Sequence, residues 1–161
     1  MYAPLNPQNL DENPKYRTIC GNHVTSSTKF ICYLNIIGLC LSSIGSFPVG
    51  LIFTIPLIYA YYIPFKGIEE IRSRKLVPIL ILSGINLVTA IAVVIFCIVA
   101  FLMGELKNNF GTRFDESFII SIVFLLGIHL LWNSWCFVVI LRCYQYIKDV
   151  KMGQTKGAQM I

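Results

Sequence analysis

The chain has 161 residues, 56% of them hydrophobic and only 13% Asp, Glu, Lys or Arg, with a net charge of +5 and a mean hydropathy of +0.70. Values this far above soluble norms leave little chain for a water-soluble catalytic domain. Ninety residues lie in three blocks free of those four charged types, Phe30–Phe65, Leu76–Gly104 and Ser117–Leu141. A bilayer core about 30 Å thick takes about 20 apolar residues per helix. The second and third blocks each fit one helix, and the first fits two short ones. The expected fold is an all-α integral membrane protein with four transmembrane helices, at about 28–45, 47–65, 77–103 and 118–143, and both termini cytosolic.

In chain order, residues 1–28 come first. They carry Pro4, Pro7 and Pro14 and no apolar periodicity, so they are expected to form a disordered or extended arm. No apolar stretch starts near Met1, so a signal peptide is not expected and the first helix serves as the anchor. Asn13-Pro14-Lys15-Tyr16 matches the Asn-Pro-x-Tyr endocytic pattern. Tyr16-Arg17-Thr18-Ile19 overlaps it as Tyr-x-x-Φ, and Tyr2-Ala3-Pro4-Leu5 is a second Tyr-x-x-Φ match. An extended segment can add to a clathrin adaptor with the tyrosine and the bulky apolar residue filling pockets. The sorting-signal candidates are thus Asn13, Pro14, Tyr16, Ile19, Tyr2 and Leu5.

Lysine and arginine set the orientation. Eleven of them fall in the N-terminal segment, between blocks one and two, and after block three. Lys107 and Arg113 alone lie between blocks two and three. The two sides separate this way only if the first block crosses twice, reversing at Ser46-Phe47-Pro48, where Pro48 disfavours helix at the residue before it. A re-entrant hairpin satisfies the same charge rule. Full spanning is preferred, because non-helical backbone exposed to lipid is penalised in the bilayer core.

The first helix carries Gly38, Ser42 and Ser46 at intervals of four, a row that permits close helix approach. Asn35 lies on a neighbouring face. Pro56 interrupts the second helix, and Tyr59, Tyr61 and Tyr62 form an aromatic belt near its end. Residues 66–75 are short and charged, with Ile68 and Ile71 on one side. The third helix contains Asn86. The fourth holds the most unusual polar set, His129 and Asn133 four apart on one face with Trp132 beside them. The intramembrane polar candidates are therefore Asn35, Asn86, His129 and Asn133. Two roles stay open for them: a proton-sensitive switch centred on His129, or neutral glue in which His129 and Asn133 bond Asn35 or Asn86 across helices. Residues 145–161 are read as a cytosolic tail.

Six cysteines are present, and in this topology none sits in a loop on the oxidising side, so no disulfide framework is expected. Cys20 and Cys143 fall near helix ends, where S-palmitoylation occurs; for Cys143 an unmodified buried thiol is the competing reading. No catalytic constellation, cofactor motif or metal site is found. Cys20 and His23 form a single pair and do not fill a four-ligand zinc site. The basic excess matches ordinary positive-inside bias, so nucleic acid is not an expected partner.

Two segments carry a family resemblance. Cys20-Gly21-Asn22-His23-Val24-Thr25-Ser26-Ser27-Thr28-Lys29 leads into the first helix. Residues 136–149 leave the fourth, ending Cys143-Tyr144-Gln145-Tyr146 and then Lys148 and Asp149. Both resemble the matching segments of lysosome-associated four-transmembrane proteins, most nearly the divergent invertebrate members. The resemblance covers the whole chain in layout and these two segments in residues. Here the first hairpin is nearly loopless, and the leading segment has one cysteine rather than a cluster. The resemblance implies a non-enzymatic endosomal or lysosomal multi-pass protein. Such a protein modulates the sorting or transport of other membrane proteins. Its partners would be lipids, other membrane proteins or itself through helix packing, and clathrin adaptors through the N-terminal segment. Two alternatives are a small transporter or channel subunit with a polar path near His129 and Asn133, and a structural tetraspan organising plasma-membrane domains.

Overall fold

The structure is a computed structural model, and it describes residues 13–19, 21–45, 49–102 and 116–158. It is all-helical: among the described residues there are four long helices, α1 (Val24–Gly45), α2 (Val49–Glu69), α3 (Val77–Leu102) and α4 (Glu116–Ala158), and two short 3-10 turns, Pro14–Tyr16 and Ser73–Leu76. Three stretches are long and apolar enough to cross a membrane, Val24–Gly45, Ser73–Val99 and Ser121–Gly153. Helices are the expected form for such sequences, because lipid offers backbone groups no partners and only a helix satisfies its own N–H and C=O groups.

The chain divides into two compact units, one formed by Met1–Ile81 with Val138–Ile161, the other by Leu82–Phe137. In the first, α1 and α2 form an antiparallel hairpin. The Tyr33 and Phe65 rings pack at 4.7 Å, and the Lys29 ammonium lies 3.8 Å from Glu69. That pair is solvent-exposed, so it contributes little energy, but it ties the start of α1 to the end of α2. The long first block is expected to form two membrane-spanning helices; α1 is among the three stretches long and apolar enough to cross and α2 is not, and the expected reversal at Ser46-Phe47-Pro48 lies outside the described residues. The core of this unit gathers Val24, Ile31, Cys32, Leu76, Ile79 and a stripe of α4, namely Val139, Ile140, Cys143, Ile147 and Val150, all buried. Steps of three and four residues put that stripe on one helix face.

The turn from α2 to α3 is closely determined. The Arg72 N–H bonds to the Gly67 carbonyl at 2.9 Å and the Ile71 N–H to the Ile68 carbonyl at 3.4 Å. This is the paired arrangement of a Schellman cap, with Ile71 at φ 52° in the left-handed position that glycine usually takes. Gly67 sits where a Cβ would come within 2.8 Å of both Lys75 Cβ and Leu76 Cδ1. Glu70 braces the turn, accepting from Lys75 Nζ at 2.7 Å with Arg72 Nε at 3.4 Å. The Lys75 hydrogen bond is the main cause holding its carboxyl below its ordinary range.

In the second unit, the Phe137 ring lies beside Gly84, and the Trp132 and Trp135 rings stand 5.3 Å apart. Much of its surface is apolar: Ile85, Val88, Phe96, Val123, Phe124 and Leu131 are all exposed. An apolar surface of this extent is unusual for a soluble protein and is the build of a membrane protein.

The helix bounds differ from the expected ones at three places. α1 begins at Val24 rather than residue 28, because His23 ends the preceding turn and its carbonyl already accepts the Ser27 N–H at 3.1 Å. α2 runs to Glu69 rather than 65, until the Schellman cap stops it. α4 runs to Ala158 rather than 143, so most of the expected tail at 145–161 is helix. No proline follows Cys143, and Tyr146, Ile147 and Val150 prolong its apolar stripe.

Candidate functional site

The site is built from residues 13–19 and 21–23 and the later turns of α4. Pro14 opens the 3-10 turn Pro14–Tyr16, where its missing N–H is no loss. Asn13 caps this turn, its side-chain oxygen accepting from the Lys15 N–H at 3.0 Å. The turn closes through Tyr16 N–H to the Asn13 carbonyl at 3.0 Å and Arg17 N–H to the Pro14 carbonyl at 3.2 Å. A second turn follows. Gly21, at φ 78°, lets the chain reverse, so that its N–H reaches the Thr18 carbonyl at 2.8 Å and the Thr18 N–H reaches the Asn22 carbonyl at 2.8 Å. Arg17 and His23 then face each other across an isolated antiparallel bridge. The expected extended arm is thus folded over this stretch, because its Asn-Pro and Gly residues supply two successive turns.

These turns bury Tyr16, which is 2% exposed. Its hydroxyl donates to Asp149 Oδ2 at 2.5 Å. Its ring meets Tyr146 edge-on, centroids 5.1 Å apart, and His23 meets the same Tyr146 ring at 4.7 Å. Tyr146 and Asp149 are three apart and so share a face of α4. Lys15 Nζ lies 3.9 Å from Asp149 Oδ2 and 5.0 Å from the Tyr16 ring centre. Burial first, then the hydrogen bond to Asp149 and its negative charge, push the Tyr16 phenol well above its ordinary value of 10. It therefore remains a neutral hydrogen-bond donor at physiological pH.

Among the sorting-signal candidates, Tyr16 and Ile19 occupy opposite environments, since Ile19 is 92% exposed. Asn13 is the cap and Pro14 is exposed. Tyr2 and Leu5 lie outside the described residues, as does the palmitoylation candidate Cys20. Cys143, the other such candidate, is fully buried in hydrogen-bonding contact with Thr28, the environment of an unmodified packing thiol.

The intramembrane polar candidates do not bond as expected. Asn133 Nδ2 lies 3.1 Å from His129 Nε2 and donates to the His129 carbonyl at 2.8 Å. Asn35 Nδ2 donates to the Ile31 carbonyl at 2.8 Å, and Asn86 is exposed. Each of these bonds stays within its own helix, since an i, i+4 carbonyl is always in reach. Among the described residues, no three of His, Cys, Asp and Glu gather as a metal site would require.

The pocket for Tyr16 was not legible in the sequence. Its floor, Tyr146 and Asp149, falls in the stretch read from the sequence as a cytosolic tail beyond the fourth helix; the available signal was the apolar stripe continuing past Cys143 to Ile147 and Val150. No protein-family model, curated protein or solved structure matches the chain.

Proposed function

We propose that this is a multi-pass protein of endosomal and lysosomal membranes that crosses four times with both termini in the cytosol. It is not an enzyme: it binds other membrane proteins and modulates their sorting or transport, and its N-terminal segment carries the sorting information. One observation carries the reading. The start of α1, the end of α2 and the last turns of α4 meet at one end of the first unit, through Lys29–Glu69 and Tyr16–Asp149. This proximity supports two crossings between residues 29 and 69, with residues 13–19 and the later turns of α4 on one side. The eleven-to-two partition of positive residues assigns that side to the cytosol. Asn13-Pro14-Lys15-Tyr16 stands at this end, where adaptors act. The resemblance of residues 20–29 and 136–149 to lysosome-associated four-transmembrane proteins supports the compartment.

Surface biotinylation of the full chain tests the reading. Tyr16→Ala removes both overlapping signals and is expected to raise the surface fraction about twofold or more, the effect of losing a pocket-filling anchor. A surface fraction unchanged by Tyr16→Ala with Tyr2 also replaced, both in the wild-type chain and in one carrying Asp149→Ala, would mean that the motif matches are accidental.

A further inference from the structure

The tyrosine that both overlapping motifs need is the most sheltered residue of its segment, while the apolar residue three positions later is almost wholly exposed. An adaptor that reads Tyr-x-x-Φ or Asn-Pro-x-Tyr takes the tyrosine ring into a pocket of its own. It cannot do so while the ring lies against Tyr146 and its hydroxyl is bonded to Asp149. We propose that the end of α4 is an intramolecular mask for the sorting signal: Asp149 and Tyr146 hold Tyr16 in a closed state, and the signal becomes readable only when residues 13–16 lift off the helix.

This proposal rests on the sorting role given above. Its closed state, however, is a property of the fold and is measured separately. The contacts are of the reversible kind. One charge-assisted hydrogen bond, one edge-to-face ring pair and one exposed ion pair, Lys15–Asp149, hold Lys15 and Tyr16 on α4, while Arg17 bridges His23 and Thr18 Oγ1 lies 3.4 Å from Ser27 Oγ, so that the hinge sits at Arg17–Thr18. The opening unit is local, since α1 begins beyond it at Val24 and keeps its own first-turn bond from Ser27 to His23. A segment held this way opens without global unfolding. The 3-10 turn Pro14–Tyr16, capped by an extended Asn13, is what turns the ring inward.

The test uses the full chain in permeabilised cells. Tyr16 nitration by tetranitromethane, read by mass spectrometry, reports burial of the ring, and surface biotinylation reports sorting. In the wild type, Tyr16 is expected to nitrate at least about tenfold more slowly than in detergent-denatured protein. Asp149→Ala is expected to raise the native rate by about tenfold, in proportion to the loss of a hydrogen bond to a charged group. The same variant should lower the surface fraction, and Tyr16→Ala in the same chain should reverse that fall. Asp149→Asn keeps the shape of the side chain and an acceptor oxygen, and is expected to fall between wild type and Asp149→Ala. If the Asp149 variants fail to accumulate, Tyr16→Phe removes only the hydroxyl and should speed tryptic cleavage after Arg17. Equal nitration of native and denatured wild type overturns the mask itself. Release by Asp149→Ala with a surface fraction that stays put overturns the gating; if Tyr16→Ala also leaves the surface fraction unmoved, the sorting role fails with it.

Discussion

Ile71 and Gly67 show how far single residues shape the turn between α2 and α3. A β-branched residue at φ 52° carries the clash between Cβ and backbone that makes the left-handed region about 1–2 kcal/mol unfavourable for L-residues. Glycine is free of that clash but loses more backbone entropy on folding. Ile71→Gly is therefore expected to stabilise the turn by up to about 1 kcal/mol, read as a higher Tm in detergent. Gly67→Ala has the opposite sign. Its Cβ would sit 2.8 Å from two neighbours, one of them the Cβ of Lys75, which is close to the main chain and yields little; a loss of about 1–3 kcal/mol is expected, as for overpacking in a close-packed site. A Tm for Gly67→Ala equal to wild type would mean that the turn relaxes freely. Neither position was legible in the sequence. Lys66-Gly67-Ile68-Glu69-Glu70-Ile71 reads as a short charged connector, and nothing in it announces a cap with isoleucine in the place of glycine.

The helices were legible as elements because long charge-free blocks leave an apolar chain few forms other than helix. Their ends were not, since ends depend on caps and on what the flanking chain packs against. α4 is the clearest case. Its apolar block stops at Leu141, yet the helix continues because Ile147 and Val150 repeat the stripe of Val139 and Cys143 against the first unit. The same helix holds His129 and Asn133, read from the sequence as a switch or as interhelical glue. Their mutual contact at 3.1 Å makes them a local pair, and Asn133 keeps its bond to the His129 carbonyl whatever side chain stands at 129. His129→Leu is accordingly expected to shift stability by no more than about 0.5 kcal/mol, the range of exposed substitutions away from special features. A loss above about 1.5 kcal/mol, close to the largest coupling measured between membrane helices, would reinstate an interhelical partner. The Tm of the variant in mild detergent, compared at pH 7 and pH 5, decides this and also exposes any proton-dependent role.

For the whole molecule, the decisive quantity is which side each connection occupies. The N-terminal segment, the α2–α3 turn and the end of α4 hold eleven of the thirteen Lys and Arg residues. An acceptor sequon engineered beside Asn108, with the connection lengthened for access, is expected to gain a glycan, whereas one placed in either terminal segment should not. Glycosylation at the N-terminal segment would sink the proposed topology. The all-helical, apolar build was readable from hydropathy because lipid is an unforgiving solvent that leaves few alternatives. The site was less so. A tyrosine motif in a polar segment looks the same whether free or folded down, and only the helical continuation of α4 reveals the surface on which it lies.

The length of α4 carries one further consequence. Its 43 residues rise about 65 Å, roughly twice the bilayer core. The shelter over Tyr16 is therefore a question of angular phase along a single screw. Tyr146 and Asp149 face the tyrosine because they keep step with Val139 and Cys143 below them. One residue added between Cys143 and Tyr146 would advance the upper face by about 100° and carry the carboxylate off its target, whereas seven, close to two full turns, would restore the angle yet lift the carboxylate about 10 Å along the axis. The covering of the tyrosine is thereby written into the spacing of a helix as much as into the identity of its side chains.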